Sequence, residues 1–231
     1  RCRAVEGHVV ALLGAFRGRL RPSRARRAAD VPSARYVRGM TDEVVTESVD
    51  ASTWNELQTV FGEKGDASSC WCQWFKLSRA DWDAATREQT EALLHEQVQD
   101  GSPGVIARIG GEPVGWAAVE PFSAYPALGR SPITRRREGD PDDVWAVTCF
   151  VVRPEYRKRG IARALLAGAL EHARERGATV VEGYPVDPEV RPSLSSAERY
   201  HGTVSLFSDG GFEVVRRPSA TRAVMRRELH A

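Results

Sequence analysis

One stretch, Val144 to Gly177, constrains this chain more than any other: VWAVTCFVVRPEYRKRGIARALLAGALEHARERG. Val144 to Val152 is rich in β-branched and aromatic residues and carries no charge, which suits a strand covered on both faces of a sheet. Pro154 ends that strand. A helix follows, with apolar residues recurring at Ile161, Leu165 and Ala169 beside Leu166, Leu170 and Ala173. That spacing makes one buried stripe. Gly177 supplies the stop, and Arg174 and Arg176 sit in the last turn, where cations complement the helix dipole.

The start of this helix carries the chemistry. The first turn of a helix has backbone N–H groups without intrahelical acceptors, and the aligned peptide dipoles place partial positive charge there. Arg157, Lys158 and Arg159 stand beside it, while Gly160 and Ala162 put nothing larger than a methyl between the backbone and an anion. A diphosphate fits such a cradle. By itself R-x-x-G-x-A also describes an ordinary turn with solvated arginines; the long apolar strand before it and the small-residue helix after it favour an anion site.

The run Phe150-Val151-Val152-Arg153-Pro154-Glu155-Tyr156-Arg157-Lys158-Arg159-Gly160-Ile161-Ala162 resembles the acyl-CoA signature of the GNAT superfamily of N-acetyltransferases: Arg or Gln, two residues, Gly, one residue, Gly or Ala. The resemblance implies a single α/β domain with a mixed, mostly antiparallel sheet, splayed at the cofactor strand and flanked by helices. It implies acetyl-CoA as cosubstrate, with the pyrophosphate on Arg157, Lys158, Arg159, Gly160, Ile161 and Ala162. The pantetheine arm would pair with the backbone of Phe150, Val151 and Val152. The partner is a primary amine on a small molecule or peptide, and a homodimer is compatible with the family. Only this segment is specific, although length and element order agree from about Val44 to Leu229.

Composition excludes some classes. With 231 residues, 42% hydrophobic and 28% charged, the chain can bury one sizeable core. Its net charge of +2 hides an asymmetry: residues 1–39 hold 10 Arg against Glu6 and Asp30, leaving 23 basic and 29 acidic residues in the remainder. The expected domain, 40–231, is therefore mildly acidic and gives no reason to bind nucleic acid. Residues 1–39 read as an Arg-rich disordered segment, with a transit peptide or basic arm as alternatives. No apolar run reaches membrane-span length. Cys2, Cys70, Cys72 and Cys149 make no disulfide framework; reduced thiols in a cytoplasmic protein are expected.

Along the chain, Glu43 to Val49 reads as a first strand, and Asp50, Ser52 and Thr53 offer caps to a helix through Trp54, Leu57, Val60 and Phe61. Gly62 to Ser69 reads as a loop. Cys70-Trp71-Cys72-Gln73-Trp74-Phe75 has two thiols and three aromatics in six residues. Cys-x-Cys can hold a soft metal, but without a second ligand pair at suitable spacing, packing around a pocket is the better reading and no metal is expected. Ser78 to Asp100 reads as one polar helix capped by Ser78 with Asp81. Val105–Ile109 and Val114–Glu120 read as a hairpin about Gly110-Gly111. After the long loop 121–143 and the central segment come a strand, Ala178 to Tyr184, and a Pro/Ser/Glu loop to Arg199. A short helix over Tyr200–Ser208 and a terminal antiparallel pair complete the chain.

Acyl transfer from a thioester to an amine needs a neutral amine, donors for the tetrahedral oxygen and a proton for the departing thiolate. The family's helix before Gly-Phe places a Tyr acid where this chain, anchored on Gly211-Phe212, has Phe207. Tyr200 is therefore the expected acid, with His201 as its rival. Glu120, ending the strand beside the cofactor strand, is the expected base, with Asp142 and Asp143 as rivals. The alternative function is a non-catalytic acyl-CoA sensor of the same fold.

Overall fold

The computed structural model describes residues 43–229 apart from 192 and 194. The expectations for residues 1–39 lie outside the described residues. Strands are β1 (Val44–Ser48), β2 (Gly104–Ile109), β3 (Glu112–Pro121), β4 (Val144–Val152), β5 (Val180–Gly183), β6 (Glu213–Ser219) and β7 (Arg222–Glu228). Helices are α1 (Trp54–Phe61), α2 (Asp66–Cys70), α3 (Arg79–Ala84), α4 (Arg87–Asp100), α5 (Pro126–Arg130), α6 (Ile161–Glu175), α7 (Ser196–Arg199) and α8 (Val204–Asp209).

The strands form one sheet in the order β1-β2-β3-β4-β5-β7-β6. Every pairing is antiparallel except β4 with β5. This is the mixed, mostly antiparallel α/β architecture expected. The parallel pair is the one joined by α6, as a crossover connection requires. β4 is covered on both faces, which accounts for its unbroken apolar sequence. On one face the α6 stripe of Ile161, Leu165, Leu166, Ala169, Leu170 and Ala173 is buried against Val105, Ala117, Val147 and Val181. Leu165 has no exposed surface, so its truncation to Ala costs about 2–5 kcal/mol.

On the other face α1, α2 and α4 enclose an aromatic cluster. Trp71 stacks on Phe61 at 4.4 Å and on Trp54 at 5.6 Å, and Trp116 Nε1 donates to Cys72 Sγ at 3.2 Å. The Cys-Trp-Cys segment thus packs as expected. Trp71 and Cys72 both adopt left-handed backbone conformations, with φ 44° and 57°, turning the chain sharply beneath β4.

Three local expectations are corrected. The loop expected over 62–69 gives way at Asp66 to α2, which is ended by left-handed Trp71. The single helix over Ser78–Asp100 is two: Ser78 caps α3 through Asp81 N–H, the chain turns extended at Ala85, and Thr86 starts α4 with a reciprocal capping box to Gln89. The helix expected over Tyr200–Ser208 starts only at Val204, and the loop expected before it contains α7. α7 ends at Arg199, Tyr200–Thr203 forms a turn in which Gly202 has φ 77°, and Thr203 caps α8. Tyr200 is thereby released from a helix and brought to the edge of β4. Among the described residues no helix is long and apolar enough to cross a membrane.

Candidate functional site

β4 opens because both of its pairings are interrupted. Its register with β3 shifts between Cys149↔Ala118 and Val147↔Val119, leaving Thr148 as an extra residue; such a bulge bends a strand. Pairing with β5 stops at Val147↔Gly183. Beyond that point no strand among the described residues pairs with this edge of β4. Arg153 N–H donates to the Val114 carbonyl at 3.0 Å, so ladder alternation turns the amides of Phe150 and Val152 away from β3 and into the gap.

The expected backbone donors are not equivalent. Val151 pairs with Trp116 in the ladder, and Phe150 N–H donates to the Tyr200 carbonyl at 2.6 Å. Val152 alone keeps the outward direction without the Tyr200 contact. Its carbonyl accepts from Arg157 Nε at 3.2 Å.

The turn after β4 is braced by Tyr156, whose ring lies under Arg153 at 5.1 Å and Arg159 at 5.5 Å. Lys158 and Gly160 have φ 62° and 80°, and this reversal sends α6 back across the sheet. The Gly160 carbonyl accepts from the amides of Arg163 and Ala164 at 3.0 and 3.2 Å. The amides of Gly160, Ile161 and Ala162 meet no acceptor among the described residues. A Cβ at Gly160 would point into open space, so glycine serves both the positive φ and the access to the amides. Val152, Arg157, Lys158 and Ala162 line the hollow over this helix start. This is the geometry of an anion site.

Two cavities meet at Tyr200. The first, ≈ 300 Å³, lies between the edge of β4 and the turn after α7, bounded by Phe150, Val152, Arg157, Ala162, Tyr200 and Thr203. The second, ≈ 350 Å³, lies under the other face of the opened strand and is walled by Phe61, Trp74, Phe75, Trp82, Cys149 and Tyr200. A larger hollow of ≈ 920 Å³ between α6, α8 and β7 contains neither Gly160 nor Tyr200; size does not select the site.

Tyr200 is partly buried, and its hydroxyl is raised above the usual tyrosine value by burial and by the nearby charge of Asp66. It therefore holds its proton at neutral pH. His201 Nδ1 lies 3.0 Å from the Thr148 carbonyl. A carbonyl only accepts, so Nδ1 carries the proton and Nε2 is left as a lone pair in a residue that lines the second cavity. Burial lowers His201 to about 4, keeping the ring neutral, and Phe75 tilts against it at 5.1 Å.

Glu120 ends β3 as expected but does not line either cavity. It forms a mostly buried ion pair with Lys76. Tyr125, with no exposed surface, faces Glu120 and Thr148, and burial followed by the Glu120 charge drives its hydroxyl well upward; it has no well-formed hydrogen bond. Asp142 and Asp143 are exposed loop residues that line neither cavity. Phe207 is fully buried between Phe150 at 5.9 Å and Phe212 at 4.9 Å. Its ring lies 2.1 Å from where a Cβ on Gly183 would stand, so Gly183 makes room for it where β5 leaves β4.

Cys70, Cys72 and Cys149 are free thiols at the second cavity. Burial pushes Cys70 up to about 12, and the Cys72 contact together with burial drives Cys149 well upward; they act as small apolar groups. Among the described residues no cluster of three His, Cys, Asp or Glu side chains could hold a metal ion.

Sequence reasoning missed Trp82, Asp66 and Arg222 as cavity residues, and the base-side geometry of His201. No local spacing marks them.

Residues 71–202 match the acetyltransferase (GNAT) family, and the chain belongs to that family. No curated protein matches it. Solved structures of similar chain path include PaiA N-acetyltransferase from Thermoplasma acidophilum in complex with coenzyme A. That match has 13% identity over 81% of this chain and 99% of that one, with TM-score 0.46. A GCN5-related N-acetyltransferase from Kribbella flavida matches at 18% identity over 80% and 98%, TM-score 0.48. YncA from Salmonella typhimurium, solved with acetyl-CoA, matches at 14% identity over 81% and 94%, TM-score 0.47.

Proposed function

We propose that this chain transfers the acetyl group of acetyl-CoA to a primary amine. One observation carries the reading: amides at Gly160–Ala162, with no acceptor among the described residues, follow a strand whose edge, unpaired by any other strand, leads to Tyr200, where a second, aromatic cavity begins. The helix start suits a diphosphate, and Val152 offers the outward amide along which a pantetheine arm can pair. Phe150, Arg157, Lys158, Arg159 and Val151 shape the walls and charge of that path.

The thioester then lies at the junction, with the amine in the second cavity. As the nitrogen–carbon bond forms and the carbon–sulfur bond breaks, His201 Nε2 accepts the proton from nitrogen and Tyr200 gives its own to sulfur. The base thus moves in our proposal from Glu120 to His201, because His201 lines the cavity with its Nδ1 proton engaged by Thr148, whereas Glu120 lies off both cavities and is engaged by Lys76. Glu120 with Tyr125 would then brace Thr148, whose carbonyl sets the His201 tautomer.

Release of CoA thiol from acetyl-CoA over a panel of primary amines tests this directly. The sensor alternative draws on Phe207, which supplies no hydroxyl where the family has one. Tight CoA binding with no thiol release on any amine would favour it and sink the transferase.

A further inference from the structure

The second cavity is apolar on most of its wall, yet it carries three charged residues, Asp66, Glu198 and Arg222. Arg222, at the start of β7, lines the cavity beside His201 and Tyr200 and is partly buried. Among the described residues no hydrogen bond or ion pair satisfies its guanidinium. The nearest acid on that wall, Glu198, is already used: its carboxylate accepts from Ser195 N–H and Ser195 Oγ at 3.0 Å each and pairs with Arg191. Burial lowers Arg222 from its ordinary value, opposed in part by the nearby charge of Glu198 and reinforced by the like charge of Arg191; arginine stays protonated at neutral pH. His201 is neutral, so Arg222 is the one cation on this wall among the described residues. Leaving a desolvated guanidinium unpaired is costly, and a carboxylate is its natural bidentate partner.

The rest of the cavity describes the body attached to that carboxylate. Trp74 and Trp82 meet edge to face at 5.0 Å, and Phe61 and Phe75 complete an aromatic wall around ≈ 350 Å³. Asp66 stands on the Tyr200 side, close enough to bear on that hydroxyl, whereas Arg222 bears on His201. The cavity is polarised for a molecule with a cation at one end and an anion at the other.

We infer that the acceptor is a small amine carrying both a carboxylate and an apolar body, the chemistry of a free apolar amino acid, with Arg222 holding the carboxylate. This rests on the acetyl-transfer reading and narrows it. A peptide N-terminus and a simple alkylamine both lack the carboxylate and are disfavoured.

Matched pairs test it on the full chain: phenylalanine against phenethylamine, tryptophan against tryptamine and leucine against isoamylamine, each followed by thiol release. At least one amino acid should exceed its decarboxylated counterpart by about 10-fold or more in kcat/KM, and Arg222→Gln should erase that ratio while leaving the simple amine within about 2-fold. Equal rates within every pair, or an equal loss on both members in Arg222→Gln, overturns the inference while acetyl transfer stands. If no amine releases thiol, the transferase reading fails separately. Calorimetry with CoA-loaded protein then decides the pocket: N-acetylphenylalanine binding about 10-fold tighter than N-acetylphenethylamine, with the difference lost in Arg222→Gln, supports the assignment. Equal binding, or none, ends it.

Discussion

The hollow over the helix start at Gly160 and the second cavity, beneath Cys149, are made of different material. The one beside Gly160 is made mostly of backbone: three consecutive amides at a helix start, an outward amide on Val152, and a glycine with φ 80° that leaves the approach open. The one beneath Cys149 is made of side chains drawn from Phe61 to Arg222. A backbone site recognises what every ligand of one kind shares, here an anion, and tolerates changes in the side chains around it. A side-chain site recognises what distinguishes one ligand from another. The comparison predicts that substitutions on the first side act on cofactor affinity whatever the acceptor, whereas those on the second act on the acceptor and leave CoA affinity alone.

The largest expected effect comes from filling the backbone site. Gly160→Trp places an indole where a Cβ now meets nothing, so calorimetry should show CoA affinity falling by at least about 100-fold. The left-handed backbone adds a stability cost of about 1–2 kcal/mol, which leaves the circular dichroism spectrum native. Unchanged CoA affinity in that variant breaks the comparison at its root. Next is Tyr200→Phe, which removes the proton offered to sulfur: kcat should fall by about 100-fold, with the CoA dissociation constant within about 3-fold of wild type. Wild-type turnover would remove Tyr200 from the chemistry and return it to the wall.

A smaller loss is expected at His201. His201→Gln keeps a donor for the Thr148 carbonyl but offers no basic nitrogen, so kcat should drop by about 10-fold. Its pH dependence sharpens the assignment. A histidine lowered to about 4 is neutral throughout pH 6–9, so it contributes no limb there and the wild-type to variant ratio should be the same at pH 6 and pH 9. A limb near pH 6.5 that disappears with the substitution would mean that the ring is not held neutral. The same depressed values bear on stability: His172, also lowered to about 4 by burial, binds a proton more readily unfolded. Its contribution is present above about pH 6.5 and is lost as pH falls from 6.5 toward 4.

The difference between the two sides also explains what could be read along the chain. β4, α6 and the turn between them were legible because their signals are local: an uncharged apolar run, a proline, a glycine at a positive φ, and a stripe with helical period. The break between α3 and α4 was equally local and readable, since Thr86 and Gln89 form a capping box; polarity on both sides of Ala85 concealed it. The turn at Tyr200 was not readable as a turn, because Tyr200 is held there by the Phe150 amide, a contact across 50 residues. Arg222 is harder still. In sequence it is one arginine among several in the last strand, and only the use of Glu198 by Ser195 and Arg191 leaves it without an ion pair among the described residues.

The smallest expected effect separates wall from chemistry within the second cavity. Trp74 is partly solvent-exposed, at 41%, and braces Trp82 rather than the core, so Trp74→Ala should leave folding and CoA affinity unchanged. What it removes is apolar surface for the acceptor, and burial of part of an aromatic ring is worth about 1 kcal/mol. KM for the acceptor should therefore rise by about 5-fold with kcat held, since the lost contact serves ground state and transition state alike. A fall in kcat with KM unchanged would place Trp74 against the reacting atoms, and the second cavity would then be part of the catalytic machinery rather than the surface that selects the amine.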